Sequence, residues 1–462
     1  MANGTENNSW GGRMRRYARV SGTVGNLAAR LAGERYLGIK VERERHATEI
    51  KEALGNLRGP LVKVAQMLAT IPEALPKEYV QELQQLQANA PPMGWPFVKR
   101  RMAAELGPEW RSRFKSFERE AAAAASLGQV HRAVALDGEQ LACKLQYPDM
   151  QSAVEADLRQ LRMFLGLFER YDRAISTREI QKELGARLRE ELDYELEAKH
   201  CALYNDVLAD EPTVTVPKVR PELSTGRLLT TDWLQGNPVL DYREADQETR
   251  NTLALCLFRA WYVPLYYYGV IHGDPHLGNY SVREDLSLNL LDFGCVRVFP
   301  PSFVRGVIDL YHALQDGDEE RAMEAYRTWG FKNINRELAD VLNVWARFIY
   351  QPLLDDNTRP IGETNNGIYG RETAEKVHLE LRKVGGVEVP REFVFMDRAA
   401  LGLGSVFLHL KADINWYRLF NDMIEGFDEK TLRDRQAGVL ARHGLTGENP
   451  EVALAPIEDL DV

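Results

Sequence analysis

The spacing of apolar residues predicts helices in the N-terminal part of the chain. From Met14 onward, apolar residues recur at three- and four-residue steps among arginines, a pattern typical of a basic amphipathic helix. We favour the interpretation that this helix packs on the main domain, because ordinary surface helices show the same stripe; the alternative is a helix on an anionic membrane surface. A second helical block is predicted from Glu42 to Leu86, broken by prolines at positions 60, 72 and 76.

The pattern then changes to that of a β-hairpin. Residues 121–148 predict a strand, a turn at Asp137-Gly138 and a second strand that ends at Lys144. The alanine tract at 121–125 places a loop of small residues at the start of this hairpin. We therefore expect a β-rich region to follow the N-terminal helices.

Beyond the hairpin the apolar pattern returns to a helical period. Isoleucine and leucine recur every four residues from Ile180 to Leu196, which predicts one long helix with acidic residues on its other faces. Strands are predicted again at 213–219 and 228–233, and the chain from Glu244 onward is predicted to be mainly helical.

Composition narrows the class of protein. The chain has 462 residues, 44% of them hydrophobic, and can build a folded core. Its formal charge of −10 speaks against a nucleic-acid partner, because phosphate contacts need basic surface. The four cysteines are scattered without Cys-x-x-Cys spacing, so neither a disulfide framework nor a zinc site is expected. No signal peptide or spanning segment is apparent, which predicts a cytoplasmic protein, soluble or peripheral on a membrane.

The strongest chemical signal is a pair of short motifs. Asp274 is followed five positions later by Asn279, and Asp292 then opens an Asp-Phe-Gly triplet. This is the spacing of a kinase catalytic loop and metal-binding loop. Asp274 can accept a proton from, or orient, an attacking hydroxyl or water, while Asn279 and Asp292 offer hard oxygen ligands to Mg²⁺ on ATP phosphates. An Asp-Phe-Gly triplet alone can occur by chance and would be weak evidence. Two motifs at the spacing found in kinases are much stronger evidence than either motif alone.

Two histidines flank the catalytic aspartate. His272 and His276 form a His-x-Asp-x-His pattern that could suggest a transition-metal site. Such a site would leave Asn279 and Asp292 unexplained, so we interpret both histidines as structural. His272 is expected to brace the loop backbone.

Lys144 is the candidate for holding the α- and β-phosphates of ATP. A lysine at a strand end is usually just solvated; here the order of elements favours a role, since small-residue loop, lysine strand, acidic helix and catalytic loop follow one another. The acidic helix offers several partners, and spacing alone does not choose among them. They are Glu190, Glu191, Asp193 and Glu197, of which the first, third and fourth would share a helix face.

With these residues in place, the chain resembles the AarF/UbiB family of atypical kinase-like proteins, which includes the kinase-like proteins required for coenzyme Q synthesis. The resemblance extends from about Leu57 to Asn415 and is carried by the following segments: Ala123 to His131 (AAASLGQVH), Glu191-Leu192-Asp193, Glu197-Ala198, Asp274-Pro275-His276, Gly278-Asn279 and Lys63-Val64-Ala65-Gln66. Ala65 stands where the family has glycine, Leu277 where proline is common and His200 where asparagine is common.

The resemblance implies an α+β, bilobal protein-kinase-like fold with a small β-rich lobe, a helical lobe and an N-terminal helical extension over the cleft. The predicted organisation is the extension (13–116), the small lobe (117–235) and the large lobe (236–446), between a disordered tail (1–12) and an acidic tail (447–462) that are expected because neither can bury much apolar surface. Lys63 and Gln66 would contact Glu191 and Asp193, and Glu197 would pair with Lys144. The nucleotide-binding loop would comprise Ala123, Ala124, Ala125, Ser126, Gln129 and Val130.

The alanine loop should not follow the path of a kinase glycine loop. Alanine at positive φ costs about 1–2 kcal/mol where glycine costs nothing. We therefore expect fewer backbone N–H groups on the phosphates, and we expect Ala124→Gly to change nucleotide affinity or the preference between ADP and ATP.

Three functions remain open from the sequence. The first is an ATPase or small-molecule kinase that uses ATP and Mg²⁺, with a lipid-like molecule or a membrane surface as candidate partner. The second is a nucleotide-binding regulatory module without turnover. The third is a phosphotransferase of the aminoglycoside or choline type, which the alanine loop and the Lys63 to Gln66 segment disfavour.

Overall fold

The computed structural model describes residues 92–124, 127–155, 158, 185–186, 188–361, 371–384 and 387–447. The helices in these ranges are α1 (Trp95–Leu106), α2 (Tyr194–Val207), α3 (Gln247–Tyr268), α4 (Pro301–Asp316), α5 (Glu319–Thr328), α6 (Arg336–Tyr350), α7 (Arg371–Lys383), α8 (Arg391–Leu410), α9 (Trp416–Ile424) and α10 (Glu429–Arg442). The strands are β1 (Phe114–Phe117), β2 (Ala123–Ala124), β3 (Gly128–Ala135), β4 (Gln140–Gln146), β5 (Val214–Thr215), β6 (Leu228–Asp232), β7 (Asn237–Pro238), β8 (Val270–His272), β9 (Tyr280–Val282), β10 (Leu288–Leu290) and β11 (Val296–Val298).

The small lobe is built on an antiparallel sheet of five strands in the order β1-β3-β4-β6, with β2 paired to β3. Its centre is the hairpin that the sequence predicts. Gly138 sits in the turn at φ +98°, a conformation that glycine adopts without a steric penalty. The hairpin prediction is confirmed, and β4 continues past Lys144 to Gln146.

Helix α1 and strand β1 belong to the core of this lobe. Val98 and Met102 of α1 are fully buried in one cluster with Trp110, Leu141 and Cys143. The boundary expected between residues 116 and 117 falls inside β1, whose residues pair with β3. Residues 92–117 therefore pack as part of the small lobe.

The large lobe is mainly helical, as predicted, and is organised around α3. Asp246 caps this helix by accepting a hydrogen bond from the Thr249 N–H, and Gly269 ends it in the left-handed conformation. Buried side chains lie on all sides of α3, including Trp261 and Phe258. At its C-terminal end the chain enters β8, which pairs with β11, so α3 positions the segment that carries Asp274.

The long helix predicted through Leu196 is interrupted, which corrects that expectation. Residues 188–190 are helical, but the chain turns at 191–193 before α2 begins. Asp193 causes the restart because its side chain accepts a hydrogen bond from the Leu196 N–H, as an N-cap does. The four-residue apolar period therefore continues across two elements. Glu190 and Glu197 do not share one helix face.

Several predicted features lie outside the described residues. They are the tail 1–12, most of the extension including Lys63 and Gln66, the acidic tail from 448, and Ala125 and Ser126 of the alanine loop. The expected contacts of Lys63 and Gln66 with Glu191 and Asp193, and the amphipathic helix that begins at Met14, stay predictions.

Candidate functional site

Lys144 joins both lobes at the cleft. Its Nζ lies 2.6 Å from Glu197 Oε1 on α2 and 3.0 Å from Asp292 Oδ2, which follows β10. The lysine therefore makes the contact with Glu197 that the resemblance implies and a second one with the aspartate of the Asp-Phe-Gly triplet. It also lies 5.2 Å from the ring centroid of Tyr194, a further favourable contact for a cation.

This cluster holds one cation between two carboxylates. Burial, aided by the charge of Asp292, raises the pKa of Glu197 to about 7 despite the opposing effect of Lys144. Burial disfavours the charge of Lys144, but the two carboxylates outweigh it and raise the lysine pKa well above its ordinary value. With both carboxylates ionised the cluster has excess negative charge, so a further cation would be stabilised here.

Asp292 is oriented by its own loop. The Gly294 N–H donates a hydrogen bond to Asp292 Oδ1 at 3.0 Å, while Oδ2 faces Lys144. A Cβ on Gly294 would lie 3.3 Å from Oδ1, so the glycine leaves this carboxylate room. Both carboxylate oxygens thus have a partner that holds them in place.

His272 braces the two motif loops against each other, as the sequence predicts. The ring is fully buried. Its Nδ1 accepts the Asp274 N–H at 3.3 Å, and its Nε2–H donates to the carbonyl oxygen of Asp292. Aromatic rings of Trp261 and Phe293 contact its edges. The imidazole therefore fixes the backbone of both aspartates.

Asn279 connects the backbone of Asp274 to that of Leu291, the residue before Asp292. Its Nδ2 donates to the Asp274 carbonyl at 3.0 Å, and its own carbonyl accepts the Leu291 N–H at 2.9 Å. With the amide nitrogen used within the loop, the amide oxygen is the atom that a cation would take. Asp274 itself is half-buried at the start of this loop.

The oxygen donors of Asp292 and Asn279 fit Mg²⁺. Magnesium is usually held by one or two protein oxygens together with substrate phosphates and water. Among the described residues no group of three or more His, Cys, Asp or Glu side chains is placed to hold a metal by itself. Two protein oxygens would leave the other coordination positions of a bound Mg²⁺ to water or phosphate oxygens.

The strand register divides the alanine-loop residues between two faces of the sheet. Val130 lies opposite Lys144 and Ala123 opposite Val130, so these three share the cleft face. Ala124 pairs with Gln129 and therefore lies on the other face. The described alanines form strand β2, and neither has positive φ.

The side chain of Gln129 forms its hydrogen bonds on the face of the sheet opposite Lys144, and the predicted place of Gln129 in the nucleotide-binding loop stays a prediction. Its Oε1 accepts the Met93 N–H at 2.7 Å, and its Nε2 lies 3.1 Å from the Met93 carbonyl and 2.8 Å from His131 Nε2. Burial lowers the pKa of His131, consistent with a neutral ring that accepts from Gln129. Gln129 thus anchors the segment before α1.

Two contacts near the site are not predicted from the sequence. Glu190, a candidate partner for Lys144, instead forms a buried ion pair with Arg297 of β11. The Nδ1–H of His200 donates to the Phe293 carbonyl at 3.2 Å, and burial lowers the pKa of that histidine to about 4. Both contacts tie the region around α2 to the Asp-Phe-Gly segment.

Within the described ranges, no helix combines the length and the apolar composition needed to span a bilayer.

Comparison with known proteins gives consistent relatives. A family model described as "ABC1 atypical kinase-like domain" matches residues 85–326, just over half of the chain. "Atypical kinase coq-8, mitochondrial" from Caenorhabditis elegans is 28% identical over 83% of this chain and 51% of its own length. "Atypical kinase COQ8B, mitochondrial" from Rattus norvegicus is 31% identical over 61% of this chain and 54% of its own. The chain thus spans about half the length of these curated relatives.

A solved structure shares the architecture. The Mycobacterium tuberculosis protein Rv3197, in its complex with erythromycin, aligns with a TM-score of 0.58 and 26% identity over 83% of this chain and 97% of that one. The fold is thus α+β, bilobal and protein-kinase-like, as the sequence predicts. By its family model, its relatives and its fold, the chain belongs to the AarF/UbiB family of ABC1 atypical kinase-like proteins.

Proposed function

We propose that this protein is an atypical kinase-like enzyme that binds Mg-ATP and transfers its terminal phosphoryl group to water or to a small molecule. The observation that carries the proposal is the position of Lys144 between Glu197 and Asp292. In kinases, a lysine of this kind holds the α- and β-phosphates, and the carboxylate of the Asp-Phe-Gly triplet holds magnesium.

We assign a separate role to each residue of the site. Asp292 and the Asn279 amide oxygen would hold Mg²⁺, which when bound neutralises charge on the β- and γ-phosphates. Lys144, fixed by Glu197, would contact the α- and β-phosphates. Asp274 would orient the attacking hydroxyl or water and accept its proton. Its backbone is fixed for this task by hydrogen bonds at both its N–H and its carbonyl oxygen.

The substrate is proposed from the relatives. Two of them carry the coq-8 and COQ8B names, and we infer from the family resemblance that this protein acts in ubiquinone or other isoprenoid-lipid metabolism. A lipid-like acceptor, or stimulation by a membrane surface, would accord with such a role. The compartment remains a prediction; the names of these relatives place those proteins in mitochondria.

Phosphate release from ATP tests the proposal directly. The purified protein would be assayed with Mg²⁺, with and without lipid vesicles, beside Asp274→Asn. We expect Asp274→Asn to lower turnover by roughly 10²- to 10⁴-fold, the range typical of a lost general base. Stimulation by vesicles would indicate a membrane-surface substrate. Nucleotide binding without turnover under every condition would contradict the proposal and favour a regulatory module.

A screen of acceptors separates the remaining alternative. Phosphorylation of aminoglycosides or choline at rates above ATP hydrolysis would indicate a phosphotransferase of that type. Hydrolysis unaffected by these acceptors, and increased by isoprenoid-lipid vesicles, agrees with the proposal.

A further inference from the structure

Helix α8 approaches the catalytic loop closely at a glycine. Gly402 lies within this helix, where a Cβ would be 2.0 Å from Pro275 Cγ and 3.0 Å from Pro275 Cβ. Non-bonded carbon atoms do not approach that closely, and a proline ring cannot swing aside as a long side chain can. The hydrogen of Gly402 is therefore what allows helix and loop to touch.

The contact is one residue from the proposed catalytic aspartate. The loop is held on one side by the Gly273 N–H, which donates to the Cys295 carbonyl at 2.6 Å, and by the Asp274 N–H on His272. Pro275 meets Gly402 on another side. Pro275 is bonded directly to Asp274. Because hydrogen bonds define the position of the backbone at 273 and 274, a displacement of Pro275 would change the position of Asp274.

Helix α8 is a firm support for this contact. Ala399, Leu403 and Phe407 on the same helix are buried in the core of the large lobe. The Phe407 ring packs against the Trp416 ring of α9, with 4.7 Å between the ring centroids. The helix is therefore held by its own core contacts, and an added methyl group at 402 would displace the loop more readily than the helix.

We propose that Gly402 is a positioning residue for catalysis, which sets the place of Asp274 through close contact with Pro275. This inference rests on the proposed function, because it takes Asp274 as the group that acts on the attacking oxygen. Glycine within a helix costs about 1 kcal/mol relative to alanine, so alanine at 402 would favour the helix if there were room for it.

The test compares Gly402→Ala with a matched glycine. Gly438 lies inside α10, and the nearest atom to a Cβ there is the flexible end of Arg442 at 3.8 Å. We expect Gly402→Ala to lower kcat for ATP turnover by roughly 10- to 100-fold, as displacements of about 1 Å do, with a smaller change in KM for ATP. Gly438→Ala should leave both constants unchanged.

A second substitution should reverse the defect. Pro275→Ala removes Cγ and Cδ, the atoms that a Cβ at 402 would meet at 2.0 and 3.4 Å. The double variant should therefore regain kcat relative to Gly402→Ala alone. If Gly402→Ala fails to fold, the double variant should restore folded protein. Equal kcat in Gly402→Ala and wild type, or no rescue in the double variant, would overturn the inference.

Hydrogen exchange gives a readout that does not depend on turnover. Amides of residues 273 and 274 should exchange faster in Gly402→Ala than in Gly438→Ala, and more slowly again in the double variant. If the wild type shows no ATP turnover, the proposed function is wrong. The exchange rates of the amides at 273 and 274 would still show whether Gly402 sets the position of Asp274. Unchanged exchange at 273 and 274 would overturn the positioning role.

Discussion

At the scale of single residues, the site is governed by an imbalance of charge around Lys144. One lysine faces two carboxylates, and the more buried of them, Glu197, has a pKa raised to about 7. The folded protein thus binds a proton at Glu197 more tightly than the unfolded chain does. This contribution to stability is fully present below pH 4.5 and is lost as pH rises through 7.

Lys144→Met should make this pH dependence steeper. Lys144→Met removes the cation that pairs with Glu197 in the described part of the chain, and breaking such a pair costs on the order of 3 kcal/mol. We expect the loss of thermal stability relative to wild type to be larger at about pH 8 than at about pH 5.5, where Glu197 can hold a proton. Melting curves of Lys144→Met and wild type at both pH values, recorded in EDTA without nucleotide, would measure this loss. Lys144→Arg, which keeps the charge, is the control, and equal losses at both pH values would contradict the argument.

His200 should contribute in the opposite direction. Its pKa is lowered from 6.5 to about 4 by burial, so between these values the unfolded chain binds the proton and the folded protein does not. The stability present above pH 6.5 is therefore lost as pH falls toward 4, by up to about 3 kcal/mol. His200→Asn keeps a donor for the Phe293 carbonyl but does not titrate. We expect its denaturant-unfolding free energy to fall less than that of wild type on acidification; parallel curves would refute this.

At the scale of elements, the sequence predicts what depends on local pattern. The hairpin follows from alternation and a glycine turn, and the motif loops follow from their spacing. The restart of α2 at Asp193 is not predicted, because the leucine period continues across it while a capping hydrogen bond to Leu196 decides the break. The face occupied by Gln129 is fixed by register with β2 and β4, a tertiary property.

The register of β2 with β3 also changes how an effect of a substitution in the alanine loop would be interpreted. Since Ala124 lies on the face opposite Lys144, an effect of Ala124→Gly on nucleotide affinity would act through the backbone of β2. Ala123 shares the face of Lys144 and Val130, so its side chain would be the nearer of the two to phosphates bound as proposed.

The junction of β3 with β4 depends on Gly128. A Cβ there would lie 2.5 Å from the Leu145 carbonyl oxygen and 2.9 Å from Tyr194 Oη. Because the first of these atoms is backbone, we expect Gly128→Ala to destabilise the protein by about 1–3 kcal/mol, as overpacked positions do. Denaturant unfolding would measure the change, with Gly438→Ala as the control. Tyr194→Phe should recover only the part due to the hydroxyl; a neutral Gly128→Ala would show that the strands can separate there without cost.

At the scale of the whole molecule, the two lobes meet through groups that also form the site. Lys144 connects β4 to Asp292, and Asn289 of β10 donates to the Gln235 carbonyl in the segment between the lobes at 2.9 Å. A ligand that binds between Lys144 and Asp292 therefore contacts both lobes at once. Its binding should stabilise the entire fold, since anything that binds only the native state raises its stability by mass action.

Thermal shifts with Mg-ATP separate binding from chemistry at this scale. Wild type should melt at a higher temperature with Mg-ATP, by an amount equivalent to about 3 kcal/mol at a hundredfold excess over Kd. Asp292→Asn should lose this shift, because it removes the carboxylate proposed to hold magnesium. Asp274→Asn should keep it, because its proposed role begins only when the phosphoryl group moves. Loss of the shift in both variants would show that Asp274 also supports binding, and the division of roles between the two aspartates would then be wrong.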